Sequence, residues 1–253
     1  MIIGIWSLIM SLLGGGSTEV FYLDNLEKGI KEHVVDKDRR KALEADMAEY
    51  TEIRKDFDKK RKAHLKELVK KNSEKSTPNE WYQDFYKKRM EERKELQSFY
   101  IDKRMDLQQK IQPNEWADII VDSESVYGKA YEKADKKAAK KGEVDLFAEM
   151  NQTIEETIPD IKKKTAAQEA VQEFKAAAIE ITQGYQKINV QDSEFLKNRN
   201  ATREQMQKMS DKLNELRTKM HNSYIALIIS MKENTNNEEW APISKELNKL
   251  LKP

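Results

Sequence analysis

Apolar residues recur along this chain at intervals of three and four, the spacing that places side chains on one face of an α-helix. From Leu26 to Lys71 the stripe is Leu43, Met47, Tyr50, Ile53, Phe57, Leu65 and Leu68, with Gly29 the only helix breaker near its start. A second stripe follows Pro78: Trp81, Phe85, Leu96, Phe99, Tyr100, Leu107 and Ile111. A third runs from about Pro159 to Ile188 through Ala167, Ala170, Val171, Phe174, Ala177, Ala178, Ile181, Tyr185 and Ile188. The fourth is Met206, Met209, Leu213, Leu216, Met220, Tyr224, Leu227 and Met231, close to a coiled-coil seam with one stutter. The pattern predicts an all-α fold of long helices, with 189–205 as a loop between the last two.

Punctuation supports that division. Thr77, Pro78 and Glu80 read as a capped helix start with Thr77 as N-cap. The string Pro-Asn-Glu-Trp occurs at Pro78–Trp81 and again at Pro113–Trp116, where it opens a shorter helix. The 35-residue spacing has no third copy, so it is no solenoid period. A shift of 124 residues does better: it carries Tyr100-Ile101 onto Tyr224-Ile225 and Glu115-Trp116-Ala117 onto Glu239-Trp240-Ala241. The expected architecture is two tandem antiparallel helical hairpins, each followed by a short Trp-led helix. The layout is an apolar segment at 1–18, one hairpin unit at 19–128, a charged connector at 129–145, and a second unit at 146–253.

Composition agrees and narrows the chemistry. Of 253 residues, 36% are charged and only 8 are Gly and 5 Pro, which favours long helices over turns. Lys plus Arg number 46 against 45 Asp plus Glu, so no global charge attracts nucleic acid. The run from Arg54 to Lys75 is basic, ten cations against four anions, but only Phe57 interleaves it as an aromatic; it reads as a solvated face, as does 129–141. Cysteine is absent, which removes thiolate nucleophiles and Cys-based metal sites. His33, His64 and His221 are the only histidines and none has a metal-like local spacing. No phosphate-binding loop or nucleophile motif is present, so neither an enzyme nor a cofactor or metal protein is expected.

The first 13 residues contain no charge. Ile2, Ile3, Ile5, Trp6, Leu8, Ile9, Leu12 and Leu13 form an apolar segment, short of the roughly 20 residues that span a bilayer. It reads as a membrane anchor, or as a signal segment with Gly14–Ser17 as its cleavage zone. Trp81, Trp116 and Trp240, with Met206, Met209 and Met220, are the candidate partner-binding residues. The other reading of the same residues is packing: Trp stapling the short helices, and Met filling the hairpin seam.

Ala201-Thr202-Arg203-Glu204-Gln205 and the helix after it resemble the LTxxQ class of periplasmic helical-hairpin proteins, with Thr202 and Gln205 matching and Ala201 in place of Leu. That class includes ATP-independent chaperones and envelope-stress or metal-linked sensors. The apolar start and the stretch Val34-Val35-Asp36-Lys37-Asp38-Arg39-Arg40-Lys41 are similar to membrane-anchored helical proteins of Bacteroidetes-type bacteria, a resemblance that implies no activity. The expectation is a non-enzymatic, membrane-anchored scaffold or accessory subunit of an envelope complex, binding protein partners and no nucleic acid. The alternative is a periplasmic chaperone or stress sensor of the LTxxQ type.

Overall fold

A computed structural model describes residues 13, 23, 26–123 and 145–251. All of the regular structure among them is helical: α1 (Leu26–His33), α2 (Lys37–Ser73), α3 (Asn79–Lys110), α4 (113–123), α5 (Leu146–Thr157), α6 (Ile161–Lys197), α7 (Arg203–Glu233) and α8 (Asn237–Lys249). The expected all-α pair of long hairpins, each with a Trp-led short helix, is what the chain forms. The two 37-residue helices α2 and α6 would each extend about 55 Å.

The 124-residue shift holds for the helix boundaries. Displaced by 124, Lys37–Ser73 becomes Ile161–Lys197, and the starts of α3 and α4 become those of α7 and α8. It extends beyond the stretch that the sequence match covers. Asp36 and Asp160 cap equivalent helices, accepting the N–H of Arg39 at 2.8 Å and of Lys163 at 3.0 Å. The pair Tyr50–Tyr100, with ring centroids 5.1 Å apart, is repeated as Phe174–Tyr224 at 6.0 Å.

Several local expectations are corrected. The helix drawn through Leu26–Lys71 is broken at 34–36, because Asp36 takes the cap position and turns its carboxylate to a new first turn. The helix drawn to Ile188 runs on to Lys197, since 189–197 holds no Gly or Pro to stop it. Helix α5, capped by Asp145, precedes it. Thr77 is not an N-cap: Pro78 holds that position, and the Thr77 hydroxyl donates back to the Lys71 carbonyl at 2.8 Å. Thr202 and Gln205 form a capping box at the start of α7. On α3 the buried aromatics are Tyr82, Tyr86 and Tyr100, while Trp81, Phe85 and Phe99 are only partly covered. The connector lies outside the described residues except at Asp145.

The inner pair of long helices is α3 and α7, with α2 beside α3 and α6 beside α7. They run antiparallel. Gln97 and Asn214 exchange two amide hydrogen bonds, Gln97 Nε2 to Asn214 Oδ1 at 3.1 Å and Asn214 Nδ2 to Gln97 Oε1 at 2.8 Å. Each hairpin turn is then gripped by the other unit. Gln108 Nε2 donates to the Ala201 carbonyl at 3.0 Å, and at the equivalent position Lys232 Nζ donates to the Thr77 carbonyl. Trp116 Nε1 donates to the Lys197 carbonyl at 2.9 Å, while the Arg104 guanidinium lies 4.0 Å over its ring. At the opposite end Asn72 Nδ2 donates to Tyr224 Oη at 2.8 Å and to Asn248 Oδ1 at 3.0 Å.

Two glycines separate backbone contact from side-chain contact. A Cβ on Gly29 would lie 3.2 Å from the Ile119 Cα, where α1 crosses α4; a Cβ on Gly184 would meet the Leu216 Cδ2 at 3.1 Å. Gly184→Ala is expected to be neutral or stabilising by up to about 1 kcal/mol, because the leucine tip can rotate aside and alanine favours the helix. Gly29→Val is expected to destabilise by about 1–3 kcal/mol, because backbone must shift. Paired chemical denaturation curves check both signs.

Candidate partner-binding groove

The side of α3 that faces away from its core stripe carries Gln83, Lys87, Met90 and Lys94, one residue per turn. Opposite them α7 presents Thr218, Asn222, Ile225, Ala226 and Ile229. Because the two helices run antiparallel, these rows enclose an open groove of about 690 Å³ whose lining residues all come from α3 and α7. That volume falls within the range of ligand-binding clefts. Its floor is the Tyr86 ring, stacked on His221 with centroids 4.1 Å apart and planes 21° apart, and continued by buried Ile225. Met90 and Ile229 are half-covered on its walls, Ala226 is exposed, and Lys87, Glu91 and Lys94 stand on the α3 lip. The α7 lip carries no carboxylate, so the rim is net positive.

The second unit provides an internal comparison. Displaced by 124, Tyr86, Lys87, Met90 and Lys94 become Ser210, Asp211, Asn214 and Thr218, and Ala226 corresponds to Asp102. Ile225 and Ile229 keep apolar counterparts in Ile101 and Met105, whereas Tyr86, Lys87, Met90, Lys94 and Ala226 do not repeat between units.

A smaller cleft of about 200 Å³ opens beside α2, lined by His64, Glu67, Trp81, Asp84, Phe85, Lys88 and Arg89. Trp81 stacks on Phe85 at 4.9 Å, and His64 meets Phe85 edge-on at 6.2 Å. Burial first, and then the Arg89 guanidinium bonded to its Nδ1, hold the His64 imidazole below its ordinary value of 6.5. Along the basic run, Lys55, Lys60, Arg61 and Lys71 are paired with carboxylates three or four residues away, which fits a solvated face.

Of the partner-binding candidates, Trp81 alone is partly exposed. Trp116 and Trp240 are 3% and 2% exposed, and Met206, Met209 and Met220 are 0–4% exposed in the hairpin seam. These five pack the core rather than present a surface. Of the apolar N-terminal residues, Leu13 is buried; Ile2, Ile3, Ile5, Trp6, Leu8, Ile9 and Leu12 lie outside the described residues. Among the described residues no helix is long and apolar enough to cross a membrane. The groove itself was not expected. Its signal is Ile225 and Ile229, apolar residues off the Met220–Tyr224–Leu227–Met231 seam.

Comparison with models of protein families, with curated proteins and with solved structures returns no match.

Proposed function

We propose that the chain is a non-enzymatic helical scaffold, held at a bacterial membrane by its apolar N-terminal segment, residues 1–18, that receives an amphipathic helix of a partner protein between α3 and α7. The groove carries this reading: an apolar floor, open to solvent, which no side chain outside α3 and α7 lines among the described residues. Its length suits a helix. Gln83 to Lys94 spans three turns, about 16 Å, enough for anchors at i, i+3 or i+4, and i+7. Its charge suits acidic flanks on that helix, which Lys87 and Lys94 would meet at the rim.

Ala226→Glu puts a carboxylate and added bulk into the groove at an exposed helix position, where the fold tolerates it. Purified from native membranes in mild detergent, the wild-type protein is expected to retain one stoichiometric partner. A synthetic peptide of that partner's acidic amphipathic helix should bind the wild type and lose at least about tenfold in affinity for the variant. A partner and peptide held equally by wild type and Ala226→Glu would overturn the reading.

A further inference from the structure

Away from the groove, α1 and α4 bring together donors that are far apart in sequence. Gly29 lets α1 lie directly on α4, its missing Cβ facing the Ile119 backbone. One turn further on, His33 Nε2 stands 2.8 Å from Asp122 Oδ2 across a separation of 89 residues. Glu32 completes the group: one donor atom from each of Glu32, His33 and Asp122 lies within 4.8 Å of the other two. Two carboxylates are thus held together with Lys28, 3.5 Å from Glu32, as the nearby cation. His33 is also the last residue of α1, where the helix dipole presents its negative end. Three features, two anions, an imidazole and a helix C-terminus, therefore favour a positive charge at one point. The second unit has Glu156, Thr157 and Glu246 at the equivalent positions, and Glu246 is engaged by Lys249 at 2.9 Å. The arrangement belongs to the first unit alone.

We infer that Glu32, His33 and Asp122 form a divalent-cation site that clasps the end of α1 to α4. The donor set decides the class of metal. One imidazole nitrogen and two carboxylate oxygens, with no thiolate anywhere in the chain, suit Zn²⁺ or Mn²⁺ better than Ca²⁺ or Mg²⁺, which prefer oxygen donors alone. Metal–donor bonds of about 2.0–2.2 Å place neighbouring donors roughly 3 Å apart, so small side-chain rotations from the present spacing suffice. The metal would replace the His33–Asp122 contact, with water completing its coordination.

The test uses the full chain, stripped with a chelator and titrated with ZnCl₂, MnCl₂ and MgCl₂ by calorimetry, with the melting temperature followed in parallel. One equivalent of Zn²⁺ or Mn²⁺ should bind saturably and raise the melting temperature, with Mg²⁺ weaker. His33→Ala and the isosteric Asp122→Asn should each lower affinity roughly tenfold or more, while His64→Ala leaves it unchanged. Absence of saturable binding to the wild type would overturn the inference. So would binding that survives Asp122→Asn, or binding lost with His64. Asp122 is partly exposed, so its variant folds and keeps the outcome decisive if His33→Ala does not.

Discussion

Tyr224→Ala is expected to lower the unfolding free energy by about 3–5 kcal/mol, the range for deleting a fully buried aromatic side chain. Tyr224 has no exposed surface and packs its ring against Phe174 in its own hairpin. Its hydroxyl accepts from Asn72 of the first unit at 2.8 Å and donates to the Leu247 carbonyl of α8 at 3.3 Å. One side chain thus joins α7, α6, α8 and α2. Tyr224→Phe keeps the ring and loses only the hydroxyl, while Asn72 retains Asn248 as acceptor. It should cost about 1 kcal/mol. Urea denaturation of the three proteins measures both differences. Total stabilities run about 5–15 kcal/mol, so the alanine variant should be visibly unfolded at modest urea.

Alkaline unfolding is the second large effect. Burial raises Tyr82 from 10.0 to about 12, pushes Tyr86 higher still, and holds Tyr224 well above 10.0. In the unfolded chain these phenols ionise near pH 10, so above that pH the unfolded state binds fewer protons than the folded state. Stability from these groups is therefore complete below pH 10 and is lost as the pH rises through the folded values. Lys232 acts in the opposite sense: burial lowers it from 10.5, so deprotonation relieves a cost in the same alkaline range. Three tyrosines outweigh one lysine. Between pH 10 and 12 the helical circular dichroism should collapse in one transition, accompanied by a step in tyrosinate absorbance. A smooth tyrosinate titration near pH 10 with the helices intact would count against the buried cluster.

How far this could be read from sequence depends on the kind of contact. The long stripes needed only periodicity, and Leu43, Met47, Tyr50 and Leu68 are buried as their spacing implies. The repeat was visible where rare residues recur, at Tyr100/Tyr224 and Trp116/Trp240. It was hidden in and just after α1 and α5, where Leu26/Met150 and Val34/Ile158 share only apolar character and Ile30/Ile154 is a single identity of a common residue. The break before Asp36 was missed because one capping carboxylate among many charges is a faint signal. The antiparallel meeting of α3 and α7 was beyond local reading, because the Gln97–Asn214 amide pair that crosses it, like Arg93 and Arg217, belongs to residue types ordinarily found at surfaces and here buried. The groove follows from that placement and the His33–Asp122 contact from the packing of α1 on α4, and no spacing within one helix encodes either.

The antiparallel interlock of the two units underlies the core, the groove and the scaffold reading alike, and the absence of native cysteine makes it directly measurable. Cysteines introduced in pairs, Gln97→Cys with Asn214→Cys and, as control, Thr77→Cys with Asn214→Cys, can be treated with a short bifunctional maleimide. The antiparallel interlock requires rapid intramolecular cross-linking of the first pair in the monomeric protein and none of the second. Cross-linking of the Thr77–Asn214 pair, or failure of the Gln97–Asn214 pair in a protein that remains helical, would contradict it.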